Sequence, residues 1–297
     1  DGYEIKSTGE RYIAAAGATG RFAEAMRDKY SALQKVVEKK AEKDESLTLY
    51  FAGATYGRHQ QLFDDMMGCL LMEGILLSVL LVLLSVGYEN HHRTEDIVYS
   101  SKTGRHLLRS KIAASISAGL GTYALLALFT FPVYFNVNEY GKTWNSSVSS
   151  VFNYRFDFIA GARPFVTWRS FSVRTYFLAT LAMSMGVILC FSLMAFSIGV
   201  WIRNHYIGFF VFLVINAILF LFPSQIPNTL PTLRLYAIYS SMLTPVWLWL
   251  KHGIWFTDGD VDILWTHFET LGCCISLLLL TAFCLLSMIY FRKKDLT

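Results

Sequence analysis

Apolar positions along this chain are concentrated in long runs. Five stretches reach or approach the roughly 20 mostly apolar residues that a helix needs to span a bilayer; they are residues 68–87, 112–135, 176–201, 206–222 and 270–291. Only a helix can satisfy all of its own backbone hydrogen bonds within lipid. The pattern therefore predicts an all-α integral membrane protein with five transmembrane helices.

A sixth apolar stretch, residues 235–256, is broken by Pro245 and interrupted by Lys251 and His252. If it crossed the membrane, the basic C-terminal tail would lie on the opposite side from the other basic connections. We therefore predict a re-entrant or interfacial hairpin before the last span. Its tryptophans, among them Trp255, are typical of the level of the lipid headgroups.

Basic residues set the expected orientation. The short connections that carry them are the connector 88–111, the turn 202–205 and the tail after residue 291, and five spans place all three on one side. Because Lys and Arg are enriched in cytoplasmic loops, this side is predicted to be cytoplasmic in the cell (plasma) membrane. The N-terminal region and the loops 136–175 and 223–269 then lie outside. An N-terminus outside the cell suggests a missing first helix before Asp1.

Residues 1–67 have a different pattern. Apolar residues recur there at helical spacing among charged ones, at Phe22, Met26, Tyr30, Leu33 and Val37. This predicts one long amphipathic helix that packs through its apolar face, and then a second helix that leads into the membrane. We therefore divide the chain into an extracytoplasmic helical region, 1–67, and a transmembrane domain, 68–297. The loop 136–175 is rich in aromatic residues and is expected to be packed.

Composition supports the membrane class. The chain is 54% hydrophobic and only 16% charged, whereas soluble domains are nearer a quarter charged. The net charge of +4 is small and scattered, which argues against a nucleic-acid partner. The five cysteines lie in or beside apolar runs without zinc-like spacing. They indicate packed or lipid-facing thiols and no metal site.

Motifs for catalysis are absent from the sequence. No G-x-x-x-x-G-K-[ST], H-E-x-x-H or G-x-S-x-G pattern occurs, so we predict no catalytic residue and no cofactor in this chain. Glu73 is the only acid inside a predicted span, and an intramembrane acid is a functional hypothesis by default. It lies about one turn from the outer end of its helix, where its carboxylate can reach water. His91-His92 is expected to be a solvated pair, and the acidic run 258–262 an exposed turn.

The connector 88–111 has the most specific pattern. Glu89 follows the first span directly, a polar turn and then Ile97-Val98-Tyr99 come next, and residues 100–105 form a break before Leu107-Leu108. Two short amphipathic helices at a turn can lie along the membrane surface. The connector is therefore predicted to present a rigid projection to a partner protein.

This connector resembles the cytoplasmic loop of type-2 ABC exporter permeases. In that family an acid-initiated coupling helix follows the second span, and a turn with an arginine, a leucine pair and a lysine that opens the third span come after it. The matching residues, in order, are Glu89, Thr94-Glu95, Gly104-Arg105, Leu107-Leu108 and Lys111. The resemblance covers roughly residues 68–297 and includes the basic end YFRKKDL. The family has six spans, and SSKTG here replaces its Pro-containing turn.

The resemblance implies a partner ATPase that carries the ATP and Mg²⁺, and a second permease chain, identical or related, across the exit path. The residues expected to couple to the ATPase are Glu89, Arg93, Glu95, Ile97, Val98, Tyr99, Gly104, Arg105 and Arg203. The chain itself would not be an enzyme, and its partners would be the ATPase, the second chain and membrane lipid. The expected function is outward transport of a hydrophobic, lipid-like or peptide cargo.

Two other functions remain open at this point. The chain could be a peptide-sensing or immunity protein whose residues 1–67 bind a ligand outside the cell. It could also be a membrane-embedded enzyme, although no predicted span pairs a nucleophile with a base or places two acids one turn apart.

Overall fold

The computed structural model describes residues 4–45, 55–94, 97–98, 107–138, 140–150, 153–202, 204–226, 233, 236–237, 240–241, 243–259 and 263–293. The N-terminal region forms α1, Ile5–Ala16, and α2, Gly20–Ala41. A continuous helix follows, made of α3, Thr55–Gln60, a π-helical segment, Gln61–Met66, and α4, Met67–His91. The other long helices are α5, Leu107–Val137, α6, Val173–Ile202, α7, His205–Leu221, and α9, Phe268–Lys293.

The remaining elements are short. Strands β1, Tyr154–Asp157, and β2, Gly161–Pro164, pair antiparallel with Tyr154 opposite Pro164. Helix α8 spans Pro245–Leu250, and 3-10 turns occupy Tyr140–Lys142, Phe222–Gln225 and His252–Ile254. The prediction of a helical protein is confirmed, with this one hairpin added in the loop 136–175.

Four helices are long and apolar enough to cross a membrane: Gly57–His91, Leu107–Val137, Val173–Ile202 and Phe268–Phe291. They contain four of the five predicted spans. The fifth prediction, 206–222, corresponds to α7, which has 17 residues. At 1.5 Å per residue α7 is about 26 Å long, somewhat short of the ~30 Å hydrocarbon layer.

Helix α6 is the centre of the bundle. Two-thirds of its most apolar segment is buried, against about a quarter for α5 and α9, because it packs on α4, on α9 and on α7. Its buried hydroxyl groups donate hydrogen bonds to backbone carbonyls of the preceding turn. Ser184 Oγ, for example, donates to the Thr180 carbonyl at 2.8 Å. Hydrogen bonds of this kind let polar residues occupy an apolar interior.

Small residues allow α4, α5 and α6 to approach each other closely. Ser78 Oγ of α4 lies 2.6 Å from Ser192 Oγ of α6, and Gly119 of α5 packs directly on Ser78 so that a methyl group at position 119 would overlap it. A Cβ at Gly74 would lie 2.7 Å from the Tyr123 ring. This is the small-residue packing expected between helices in lipid, where van der Waals contact drives association.

Helix α7 runs back along α6. The Phe212 and Phe191 rings lie 5.9 Å apart, and Phe220 at the far end of α7 lies 6.3 Å from Trp247 of α8. The bundle therefore has two ends. One holds the end of α4, the start of α5 and the α6–α7 turn, and the other holds the described parts of the N-terminal region and of the loops 136–175 and 223–269.

We call the folded unit at that second end the cap. It consists of the described residues of 4–45, 140–172 and 243–267. Helices α1 and α2 form a hairpin, and α1 ends at Gly17 with φ +58°. The apolar face of α2 is buried as predicted, with Met26, Tyr30 and Leu33 at 1% exposure or less, and it packs against Val166 and Leu264. One long helix was expected before the membrane-entry helix, and the structure has two.

The stretch 235–256 contains no helix long enough to cross a membrane among its described residues. Helix α8 has six residues, and the following turn is tied to α4's extension by a 2.9 Å contact between His252 Nε2 and the Asp64 carbonyl. Trp255, which we expected at the headgroup level, is fully buried and donates to the Leu248 carbonyl at 3.0 Å.

Candidate functional site

The end of the bundle where α4 ends and α5 begins carries the described part of the predicted coupling site. Glu89, in the last turn of α4, is only 5% exposed. Its carboxylate accepts from Lys111 Nζ, which also donates to the Ser85 carbonyl at 2.7 Å. The predicted contact residue Glu89 is therefore engaged within the chain, and it holds the first turn of α5 against the last turn of α4.

A sharp turn follows α4. Arg93 adopts φ +55°, and the amide of Thr94 donates to the Glu89 carbonyl at 2.9 Å. This six-to-one hydrogen bond is the helix-ending Schellman pattern, in which glycine usually occupies the left-handed position. The Val98 amide then bonds to the Thr94 carbonyl at 3.0 Å. The backbone beyond α4 is thus turned by hydrogen bonds that start at Glu89.

The two described residues of the apolar motif differ in exposure. Ile97 is 75% exposed, whereas Val98 is half-buried and packs against the bundle core. Ile97 is therefore available to a partner, and Val98 anchors the segment. The other predicted coupling residues, Glu95, Tyr99, Gly104, Arg105 and Arg203, lie outside the described residues.

Imidazole and phenol rings gather at the same end. The ring centroids of His91 and His205 lie 5.3 Å apart, so the last turn of α4 touches the first turn of α7. His92 packs on Tyr88 at 4.4 Å, and His205 on Tyr206 at 4.1 Å. His91 therefore contacts the turn 202–205, which carries the predicted coupling residue Arg203. Spacing along the sequence gave no signal for His205, because the contact joins residues more than a hundred positions apart.

Glu73 lies on the face of α4 that points away from the rest of the bundle. It is exposed, as are Met72, Leu77 and Leu84 on the same face, while Gly74 on the opposite face is buried. A carboxylate on a bare apolar face of a membrane helix is costly unless it meets water or another protein. The structure does not bring Glu73 to the coupling residues, which lie at the end of the helix.

The cap contains a buried ionic cluster that the sequence reading missed. Asp258 is 2% exposed and accepts from Arg163 Nη1 at 2.6 Å, while Arg155 lies 3.9 Å from its other oxygen. Tyr30 Oη donates to the same carboxylate at 3.3 Å, and burial raises the pKa of Tyr30 well above its usual value. The run 258–262 was expected to be an exposed turn. The structure instead makes Asp258 a core residue of the cap, because two strands and α2 direct their polar groups toward it.

No group of three or more His, Cys, Asp or Glu residues that could hold a metal ion occurs in the described ranges. The cysteines are all free thiols.

Comparisons with known proteins give no assignment. No protein-family model, no curated protein and no solved structure matches this chain.

Proposed function

We propose that this chain is the membrane-spanning subunit of an ATP-driven ABC exporter, which receives mechanical work from a separate cytoplasmic ATPase. The observation that supports this best is the exposed Ile97 just beyond the turn at Arg93, which a hydrogen bond from the Thr94 amide to the Glu89 carbonyl closes. An exposed apolar side chain beside a hydrogen-bonded turn suits a partner's pocket, since buried apolar anchors supply most of the affinity of interfaces.

The long helix through α4 would transmit the motion. The apolar segment Gly57–His91 has 35 residues, about 52 Å at 1.5 Å per residue, and it contacts α5, α6 and α7. Its first turns lie inside the cap, where His59 packs on Phe165 at 4.4 Å. A displacement applied at the coupling end would therefore reach the other three helices and the cap without passing through a flexible loop.

The expected orientation places the coupling end in the cytoplasm and the cap outside the cell. Helix α7 then completes a fifth crossing, since it runs alongside α6 and its far end reaches α8. The cargo of such a subunit would be hydrophobic, lipid-like or a peptide, and it would leave between two permease chains. ATP and Mg²⁺ would be bound by the partner ATPase.

The position of Glu73 favours an arrangement in which another protein or water covers the exposed face of α4. The exposed residues Met72, Leu77 and Leu84 surround it, and in contact with lipid alone its carboxylate would be poorly solvated. In the proposed exporter this face lies toward the second permease chain and the exit path. Glu73→Gln should then change export, and unchanged export would remove Glu73 from the transport path.

Peptide sensing or immunity is the second candidate, because the cap is a large folded unit with two surface hollows. A sensor would bind its ligand in the cap without any ATPase at the opposite end of the bundle. Pull-down from native membranes separates the two functions. An exporter retains a Walker-motif ATPase, whereas a sensor retains a signalling protein such as a histidine kinase.

The decisive variant is Ile97→Asp, which places a charge where an apolar anchor is proposed. We expect the ATPase to be lost from the purified complex and stimulated ATP hydrolysis to fall to the level of the ATPase alone. Phe158→Asp, at a fully exposed position in the cap, is the matched control and should retain the ATPase. Equal retention by both variants would refute the proposed contact.

Orientation is tested separately by thiol labelling of intact cells. In a background with Cys69 and Cys274, the two exposed cysteines, changed to serine, Phe158→Cys should react with a membrane-impermeant maleimide. Ile97→Cys should react only after permeabilisation. Labelling of position 97 from outside would place the coupling end on the wrong side.

A further inference from the structure

A cavity of about 420 Å³ opens where the cap meets the start of α9. Its lining is polar at Arg169, Thr266 and His267 and apolar at Phe171, Phe256 and Leu271. Cavities of this size are typical of small-molecule sites that combine an apolar wall with a few polar groups. The cavity therefore suits a ligand with a polar part and an apolar part.

The apolar wall continues onto the lipid-facing surface of α9. Leu271, Cys274 and Leu278 recur at helical spacing, so they lie on one face, and all three are exposed. This helix is one of the four long enough to cross a membrane. An acyl chain could thus extend from the cavity along α9 without leaving an apolar surface.

A second hollow of about 360 Å³ adjoins the first and shares Arg169 with it. Lys35, Lys39 and Lys43, spaced four residues apart at one face of α2 and its end, line it together with Lys40. Lys40 is occupied, because it lies 3.6 Å from Glu45 and donates to the Arg169 carbonyl at 3.1 Å.

The other cations of the second hollow have no such partner. In the described part of the chain, Lys35, Lys39, Lys43 and Arg169 form no ion pair, and none of the residues that line this hollow is acidic. Lys35, Lys39, Lys43 and Arg169 thus give the hollow a basic lining, while the nearby Glu45 carboxylate is taken up by Lys40 and Ser170.

Two features of the wall between the hollows also point to a ligand. The buried Trp168 Nε1 has no hydrogen-bond partner among the described residues, although buried donors are nearly always paired. Phe256 adopts φ +64°, a region that bulky side chains rarely occupy and in which strained residues cluster at functional sites. Burial and the nearby Arg169 lower the pKa of His267, so its ring adds a neutral hydrogen-bonding group at pH 7.

We propose that the two hollows form one site for an anionic membrane phospholipid. Its phosphate binds to Arg169, Lys39 and Lys43, and its acyl chain lies on Leu271 and Cys274. Arginine suits this task because its planar guanidinium binds phosphate oxygens in pairs. The site is independent of the proposed ATPase contact, since it lies at the opposite end of the bundle.

The test is a lipid titration of the full-length chain in detergent, read by native mass spectrometry. One molecule of dioctanoyl phosphatidylglycerol should bind per chain, with an affinity at least about tenfold higher than that of dioctanoyl phosphatidylcholine. A hydrogen bond to a charged group contributes a free energy that corresponds to about this factor. The double variant Lys39→Gln/Arg169→Gln should lose this preference. Lys6→Gln/Arg21→Gln removes the same charge from exposed positions of the N-terminal hairpin and should keep it.

Two further measurements distinguish a lipid ligand from a soluble anion. Glycerol 1-phosphate alone should bind at least tenfold more weakly than the lipid, and Leu271→Glu should weaken lipid binding while leaving the thermal unfolding midpoint unchanged. Equal binding of the two phospholipids, or equal loss in both double variants, would overturn the proposal. Equal affinity for glycerol 1-phosphate and phosphatidylglycerol would show instead a site for a free phosphate ester.

Discussion

Lys111 joins the first turn of α5 to the last turn of α4 by donating to both the Glu89 carboxylate and the Ser85 carbonyl. The two helices are separated in the chain by the connector, yet this one ammonium group links them at this end of the bundle. The side chains of both charged partners are almost inaccessible to water. Each charge therefore compensates the other in a nearly water-free position.

Removal of one partner should be far more damaging than removal of both. Lys111→Met takes the ammonium group away from a buried carboxylate and should lower the free energy of unfolding by about 3–5 kcal/mol. Glu89→Leu/Lys111→Met should lie within about 1–2 kcal/mol of the wild type, because apolar replacement of a buried pair is often neutral. Unfolding in mixed micelles followed by circular dichroism measures both. A single variant as stable as the double variant would show that the pair is hydrated.

The Arg163–Asp258 pair should likewise be essential to the cap. Asp258→Asn removes the charge that faces two arginines, and we expect a loss of about 3 kcal/mol or more. Glu10→Gln is the control, because Glu10 pairs with Arg27 at 2.9 Å on the exposed surface and such pairs contribute little. Hydrogen exchange of α2 and β2 should rise sharply in Asp258→Asn only. Unchanged protection in that variant would contradict the assignment.

Tyr30 should make the protein sensitive to alkali. Burial raises the pKa of its phenol above the ordinary value in the folded state, so its contribution to stability is complete below about pH 10 and is lost as the pH rises further. The loss should be about 1.4 kcal/mol per pH unit for this group. Unfolding midpoints at pH 8 and pH 11 should therefore differ less in Tyr30→Phe than in the wild type. An equal shift in both proteins would mean that Tyr30 ionises in the folded state.

Two glycines of α5 offer a matched test of bundle packing. Gly119→Leu forces a side chain into Ser78 of α4 and should cost about 1–3 kcal/mol or prevent assembly. Gly121→Leu, two residues along the same helix, meets open space and should be tolerated. Thermal stability in detergent measures both changes. Equal destabilisation would contradict a specific role of the α4–α5 contact at Gly119, because replacing glycine by leucine raises helix propensity at both positions.

The sequence was sufficient to predict the long helices but not the contacts between residues that are far apart in the chain. Apolar runs predicted the four long helices because length and hydropathy are local properties, and the period of Met26, Tyr30 and Leu33 predicted the buried face of α2. The burial of Asp258 could not be predicted, since its partner Arg163 is almost a hundred residues away.

The coupling role of the candidate site stays a prediction. The connector was identified from its order of charged and apolar residues, and Ile97 is exposed as a contact residue should be. Glu89 has a different role from the one expected, because the lysine that opens α5 turns back to pair with it. A pattern shows which residues are charged, but only the packed helices show which charges face each other.

The continuous helix from the cap to Glu89 packs against α6, and in the proposed exporter it would tilt as one body about this contact. A tilt of about 5° over a half-length of about 26 Å would move each end by about 2 Å, in opposite directions. Inward motion at one membrane face would then require outward motion at the other. Alternating exposure of the two faces would thus follow from the geometry of a single unbroken helix.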